Sequence, residues 1–226
     1  AMYFGCHDGT WCALTGLLVE RNYIRTVRAP DPEIGYGIQV KLNSVAVIRD
    51  NVIVDTKGPG IMVYGAQDLS TVSVVERNFL MGSLRSSGIV IGGGPVVVRN
   101  NVAVASHAGG IGLEDYGRRG LLRGIVVAHN TVFGNEAGGI IAPSSNGLRD
   151  VTVVNNAAHG RAGTSGLPAP QPGLWLIGNI DCSWVPCFAD PLSSNFALVA
   201  GEREPDATWI APSGAVSMDQ RPSGRL

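Results

Sequence analysis

The sequence predicts an all-β chain wound as a right-handed parallel β-helix, a solenoid of about seven coils closed by a C-terminal capping segment. Three observations carry this. Asn ends a Val/Ile-rich run at Asn22, Asn51, Asn78, Asn101, Asn130, Asn156 and Asn179, at spacings of 29, 27, 23, 29, 26 and 23 residues. A second series is interleaved with it: Gly37-Ile38-Gln39-Val40-Lys41, then Gly60-Ile61, Gly88-Ile89, Gly110-Ile111 and Gly139-Ile140, each followed by an alternating strand. The amphipathic helices of ten or more residues that a doubly wound α/β fold needs are missing between these runs.

Each coil therefore holds at least two short strands and a turn marked by Asn. One coil cannot bury its own apolar side chains, but a stack of coils makes a continuous core. Asn tolerates left-handed backbone at a turn. Its amide can also bond the Asn one coil away, so all seven are read as structural.

The opening Ala1-Met2-Tyr3-Phe4-Gly5 fits the second frame without a preceding cap. That predicts self-association or an upstream domain at the first coil. The coils occupy 1–180, and 181–226 form a cap and an irregular tail of the same domain. Trp184, Phe188, Phe196 and Trp209 are the apolar residues expected to cover the last coil, because an open end exposes core and unpaired strand edges.

Composition narrows the function classes. Of 226 residues, 45% are hydrophobic and 15% charged, which suits one core-rich domain rather than a disordered chain. The net charge of −1 gives no whole-chain footprint for nucleic acid, and no apolar run reaches the length of a membrane span. Cys6 with Cys12 and Cys182 with Cys187 read as two small local disulfides. The N-terminus lacks a signal peptide's basic and apolar regions. The expectation is a secreted or periplasmic protein whose leader has been removed.

Chemistry must sit on residues that point out of the Gly-Ile strands. Strand alternation turns the third and fifth positions outward. The third-position stack is Tyr3, Gln39, Met62, Val90, Gly112 and Ile141; the fifth is Gly5, Lys41, Tyr64, Gly92, Glu114 and Pro143. With coils about 4.8 Å apart, Lys41 and Tyr64 are neighbours and Glu114 lies about 10 Å from Tyr64. Gly92, Gly93 and Gly94 read as a notch between them. Lys41, Tyr64, His7 and Glu114 are the catalytic candidates. Gln39, Asn43, Asp68, Asp115 and Tyr116 are the substrate-binding candidates, and no metal-ligand set is assigned. A groove lined by these types suits an acidic polysaccharide: rings stack on sugar faces, and charged groups meet uronates or hydroxyls.

The repeats resemble the pectate-lyase-like β-helix superfamily over roughly residues 1–200. The run Phe188-Ala189-Asp190-Pro191 followed by Asn195-Phe196 is similar to the closing segment of many secreted β-helix proteins. Gln39-Val40-Lys41 followed by Arg49-Asp50-Asn51 resembles a stretch of the chondroitinase B/alginate lyase family. That resemblance implies Lys41 as the base that removes the proton α to a uronate carboxylate, with calcium neutralising the carboxylate. The Arg that the family carries on the next coil has no counterpart in Met62-Val63-Tyr64-Gly65, where Tyr64 is the proton-donor candidate. Two readings follow: a lyase or epimerase on a uronate-containing polysaccharide, or a non-catalytic polysaccharide-binding or structural cell-surface module, as a piece of a larger protein.

Overall fold

The computed structural model describes residues 1–7, 12–66, 70–115, 122–143, 147–161, 163–184, 187–193 and 195–199. Three parallel sheets run the length of the coil stack. Sheet A stacks Met2–Phe4, Ile38–Val40, Ile61–Val63, Ile89–Ile91, Gly109–Leu113 and Gly138–Ile141. Sheet B stacks Leu17–Glu20, Ala46–Arg49, Ser73–Glu76, Val96–Arg99, Arg123–Ala128, Arg149–Val154 and Leu174–Ile177. Sheet C, the third strand of each coil, stacks Tyr23–Val27, Val52–Thr56, Phe79–Ser83, Val102–Val104, Thr131–Asn135, Ala157–Gly160 and Ile180–Asp181. Six coils are complete and a seventh supplies sheets B and C. Among the described residues the helical content is one 3-10 turn, Pro191–Ser193.

The core is built of vertical columns of like residues. Ile38, Ile61, Ile89, Ile111 and Ile140 lie inward on sheet A; Ile48, Val75, Val98, Val127 and Val153 do so on sheet B. Each is fully buried, which stabilises the stack by about 1.5–3 kcal/mol per side chain. The Gly of the Gly-Ile frame has a packing reason. A Cβ on Gly110 would collide with Val132 Cγ1 across the coil.

The seven Asn residues form the ladder the spacing predicts. Nδ2 of each donates to Oδ1 of the next, at 2.8–3.0 Å through all six steps from Asn22 to Asn179. The left-handed backbone, however, belongs to the residue before each Asn. Arg21, Asp50, Arg77, Asn100, His129, Asn155 and Gly178 have φ between 51° and 59°. The physical reason is direction. The Asn side chain must point into the corner to reach its neighbours, so the preceding residue makes the bend.

Both predicted disulfides are present, with Cα–Cα distances of 5.4 Å for Cys6–Cys12 and 5.5 Å for Cys182–Cys187. The closing segment differs from expectation. Its antiparallel pair, Phe188–Asp190 with Asn195–Leu198, packs Phe188 and Phe196 onto Phe133, at ring distances of 5.8 and 5.9 Å. Phe133 is an outward residue of sheet C, so these rings cover the side of the stack. Trp184 stays 72% exposed and contributes little apolar cover. Trp209 and the tail 211–226 lie outside the described residues.

Candidate functional site

Sheet A holds both outward stacks in the expected register. Tyr3, Gln39, Met62, Val90, Gly112 and Ile141 are paired in order. The fifth positions continue the parallel pattern: the N–H groups of Lys41, Tyr64, Gly92 and Glu114 donate to Phe4, Val40, Val63 and Ile91 carbonyls at 2.8–3.0 Å.

Lys41 and Tyr64 meet as neighbours. The Lys41 ammonium lies 4.3 Å from the Tyr64 ring centroid and 5.2 Å from that of Tyr3, within cation–π range of both. Lys41 is only 3% exposed, so it is no solvated surface lysine. Gly5 leaves room for its stem; a Cβ there would stand 3.1 Å from Lys41 Cβ and 2.6 Å from Ser44 Oγ. Gln39 Nε2 donates to Tyr64 Oη at 3.4 Å.

Beside this stack opens a cleft of about 740 Å³, lined by Tyr3, Gln39 and His7 on one side and by Pro32, Glu33, Ile34 and Tyr36 on the other. The second wall belongs to the strap 28–36, which joins sheet C of the first coil to sheet A of the second. Ion pairs pin it. Asp31 meets Lys57 at 2.8 Å and Arg85 at 2.6 Å, and these two partners hold its carboxyl below the ordinary range. Arg28 meets both oxygens of Asp55, at 2.6 and 2.7 Å.

The long groove expected along sheet A is not open. Met62 and Val90 point outward yet are buried, packed with Tyr64 against Tyr36 and Leu42. The Gly92–Gly94 notch is filled by backbone; a Cβ on Gly65 would strike Gly93, which shows how closely the two coils approach. Glu114 sits two coils beyond Tyr64. Its carboxylate folds over Gly112, where a Cβ would strike it, and accepts a 3.1 Å hydrogen bond from Ser87. Burial raises the Glu114 pKa and the Ser87 bond partly offsets this.

The structure thus gathers Lys41, Tyr64 and Gln39, with His7 on the rim of the adjoining cleft, and leaves Glu114 and half-buried Asp115 further along the sheet. Asn43 takes a turn with φ 63°, its N–H donating to Gly65 O at 3.0 Å. Asp68 and Tyr116 lie outside the described residues. Sequence reasoning missed Glu33 and Tyr36, and gave Tyr3 a place in the stack without a function. The available signal was the long Pro-containing stretch between Val27 and Gly37. Calcium would need several converging oxygen ligands. Among the described residues no three His, Cys, Asp or Glu side chains converge in that way, so no step is derived through the ion.

Three parallel sheets around a column core, with an Asn ladder at one corner, define the class as a β-helix solenoid. A family model described as "Right handed beta helix region" matches residues 6–163, and the chain belongs to that family. No curated protein and no solved structure matches the chain.

Proposed function

We propose that the sheet A cleft binds an acidic polysaccharide. The observation that carries the reading is the Tyr3 ring on the cleft wall, backed by the buried Lys41–Tyr64 pair behind it. Tyr3 is 54% exposed and lines the cleft, offering a ring face to the C–H side of a sugar. The Lys41 ammonium, buried behind the same ring, attracts a uronate carboxylate to this wall by its charge, while Glu33 on the strap repels it and so fixes which way the sugar faces. Gln39 and His7 are placed to bond hydroxyls. The two disulfides support a secreted or periplasmic setting. Calorimetric titration against alginate, pectin and glycosaminoglycan oligomers tests this. Uronate oligomers are expected to bind, and Tyr3→Ala to weaken them by about tenfold, as loss of one stacking contact implies. Equal binding of neutral and acidic oligomers, or unchanged binding by Tyr3→Ala, overturns the reading.

The Lys41–Tyr64 contact favours a second, finer reading: elimination or epimerisation on the bound uronate. Both side chains would turn out of their buried positions into the cleft; Lys41, as the neutral amine, would take the proton α to the carboxylate and become the ammonium, and Tyr64 Oη would give its proton to the leaving oxygen or to the opposite ring face. Absorbance at the unsaturated-uronate band, with sugar analysis for epimers, reads this out. Lys41→Ala and Tyr64→Phe should each abolish product; turnover that survives both variants removes the assignment.

A further inference from the structure

A second cleft lies on a different face, near the other end of the described coils. It has a volume of about 320 Å³, at the lower end of the range for small-ligand sites. One wall is the outer side of sheet C, where Phe133 and His159 stack from adjacent coils with ring centroids 4.6 Å apart. Facing them are Phe188 and Pro191, brought there by the antiparallel pair that folds onto sheet C. Trp184 stands at the rim, in the loop closed by the buried Cys182–Cys187 disulfide. Trp184 is 72% exposed, two residues after buried Cys182, so its indole face is open to a ligand.

The polar groups in this cleft are uncharged. The Gly134 N–H donates to His159 Nδ1 at 3.4 Å, which leaves Nε2 to carry the ring proton. Burial, opposed only in part by a hydrogen bond and by Asp181, lowers the His159 pKa, so the ring is neutral near pH 7. Ser183 Oγ accepts the Gly160 N–H at 2.9 Å and gives its own proton to the Asp181 carboxylate, which leaves it one lone pair to accept with. Among the described residues no Lys, Arg, Asp or Glu lines the cleft. A neutral imidazole donor and a hydroxyl acceptor beside aromatic faces recognise a ligand that is itself uncharged, ring-shaped, apolar on its faces and hydroxylated at its edge.

We infer that this cleft is a binding site for a neutral pyranose unit, separate from the sheet A cleft. The sugar ring stacks on Trp184; one of its hydroxyls accepts from His159 Nε2 and another donates to Ser183 Oγ. The inference rests on sheet C, Ser183 and Trp184 and does not require the sheet A reading.

The test titrates the whole chain with neutral gluco-, manno-, galacto- and xylo-oligosaccharides, following the His159 ring resonances by NMR. At least one series should shift them saturably. Trp184→Ala should weaken that binding tenfold or more while Leu192→Ala, at an exposed position just beyond the cleft, leaves it unchanged. Tyr3→Ala should also leave it unchanged, which separates this site from the sheet A cleft. The inference is overturned if no neutral series gives a saturable shift, if Trp184→Ala binds like the parent chain, or if uronate oligomers or simple aromatic compounds bind this cleft more tightly than any neutral sugar.

Discussion

Glu114 is an ionisable side chain that its surroundings oppose. The unfolded chain solvates its carboxylate well, with an ordinary pKa of 4.5, whereas burial makes the folded chain take up the proton at higher pH. Above the raised value the folded state carries a poorly solvated charge and is penalised. As pH falls through that value toward 4.5 the folded chain protonates first and the penalty disappears. Glu114→Gln should therefore raise the midpoint of thermal unfolding by a few degrees at neutral pH, with the gain vanishing as pH approaches 4.5; calorimetry over that range checks it. Asn101 makes the opposite case. Its Oδ1 accepts from Asn78 N–H and Nδ2, and its Nδ2 reaches Val75 O, Arg99 O and Asn130 Oδ1. Asn101→Ala strands several buried groups and should cost roughly 3 kcal/mol or more in urea unfolding, well above Asn22→Ala at the half-buried start of the ladder. The ladder was legible in the sequence because one residue type recurs at one position of every coil. The state of Glu114 was not, because it depends on Ser87 and on the space left by Gly112, and no spacing rule reports either.

At the scale of elements, the turn between sheets B and C and the strap show what periodicity can and cannot say. The turn recurs seven times, so its place was readable, but its left-handed residue was assigned one position too late. The structure makes a sharp expectation of that shift. Gly178→Ala puts a Cβ into φ 59° and should destabilise the chain by about 1 kcal/mol. Arg21→Gly, at the equivalent turn of the first coil, should stabilise it by a similar amount. Chemical denaturation of both variants checks the sign. The strap 28–36 occurs once and follows no repeat. Its Tyr36 helps bury Met62 and Val90, which alternation correctly turned outward and wrongly left in water. Openness of a sheet face is decided by what crosses it. That is why the stacks were legible and the cleft was not.

At the scale of the molecule, the chain is a linear stack in which each coil contacts its neighbours. Among the described residues, the sheet A cleft and the sheet C cleft lie on different faces, and each is built where an irregular segment leaves the repeat and leans on a sheet. The strap does so on sheet A, and the disulfide loop with its antiparallel pair does so on sheet C. The repeat supplies stability and flat stacks of side chains, and the departures from it supply the concave sites. The most direct test of the central claim is a crystal structure of the chain with a uronate hexasaccharide. The account predicts a sugar ring over Tyr3, between His7 and Glu33, with its carboxylate turned toward Lys41. An empty sheet A cleft, with the oligosaccharide seated on another face, would contradict it.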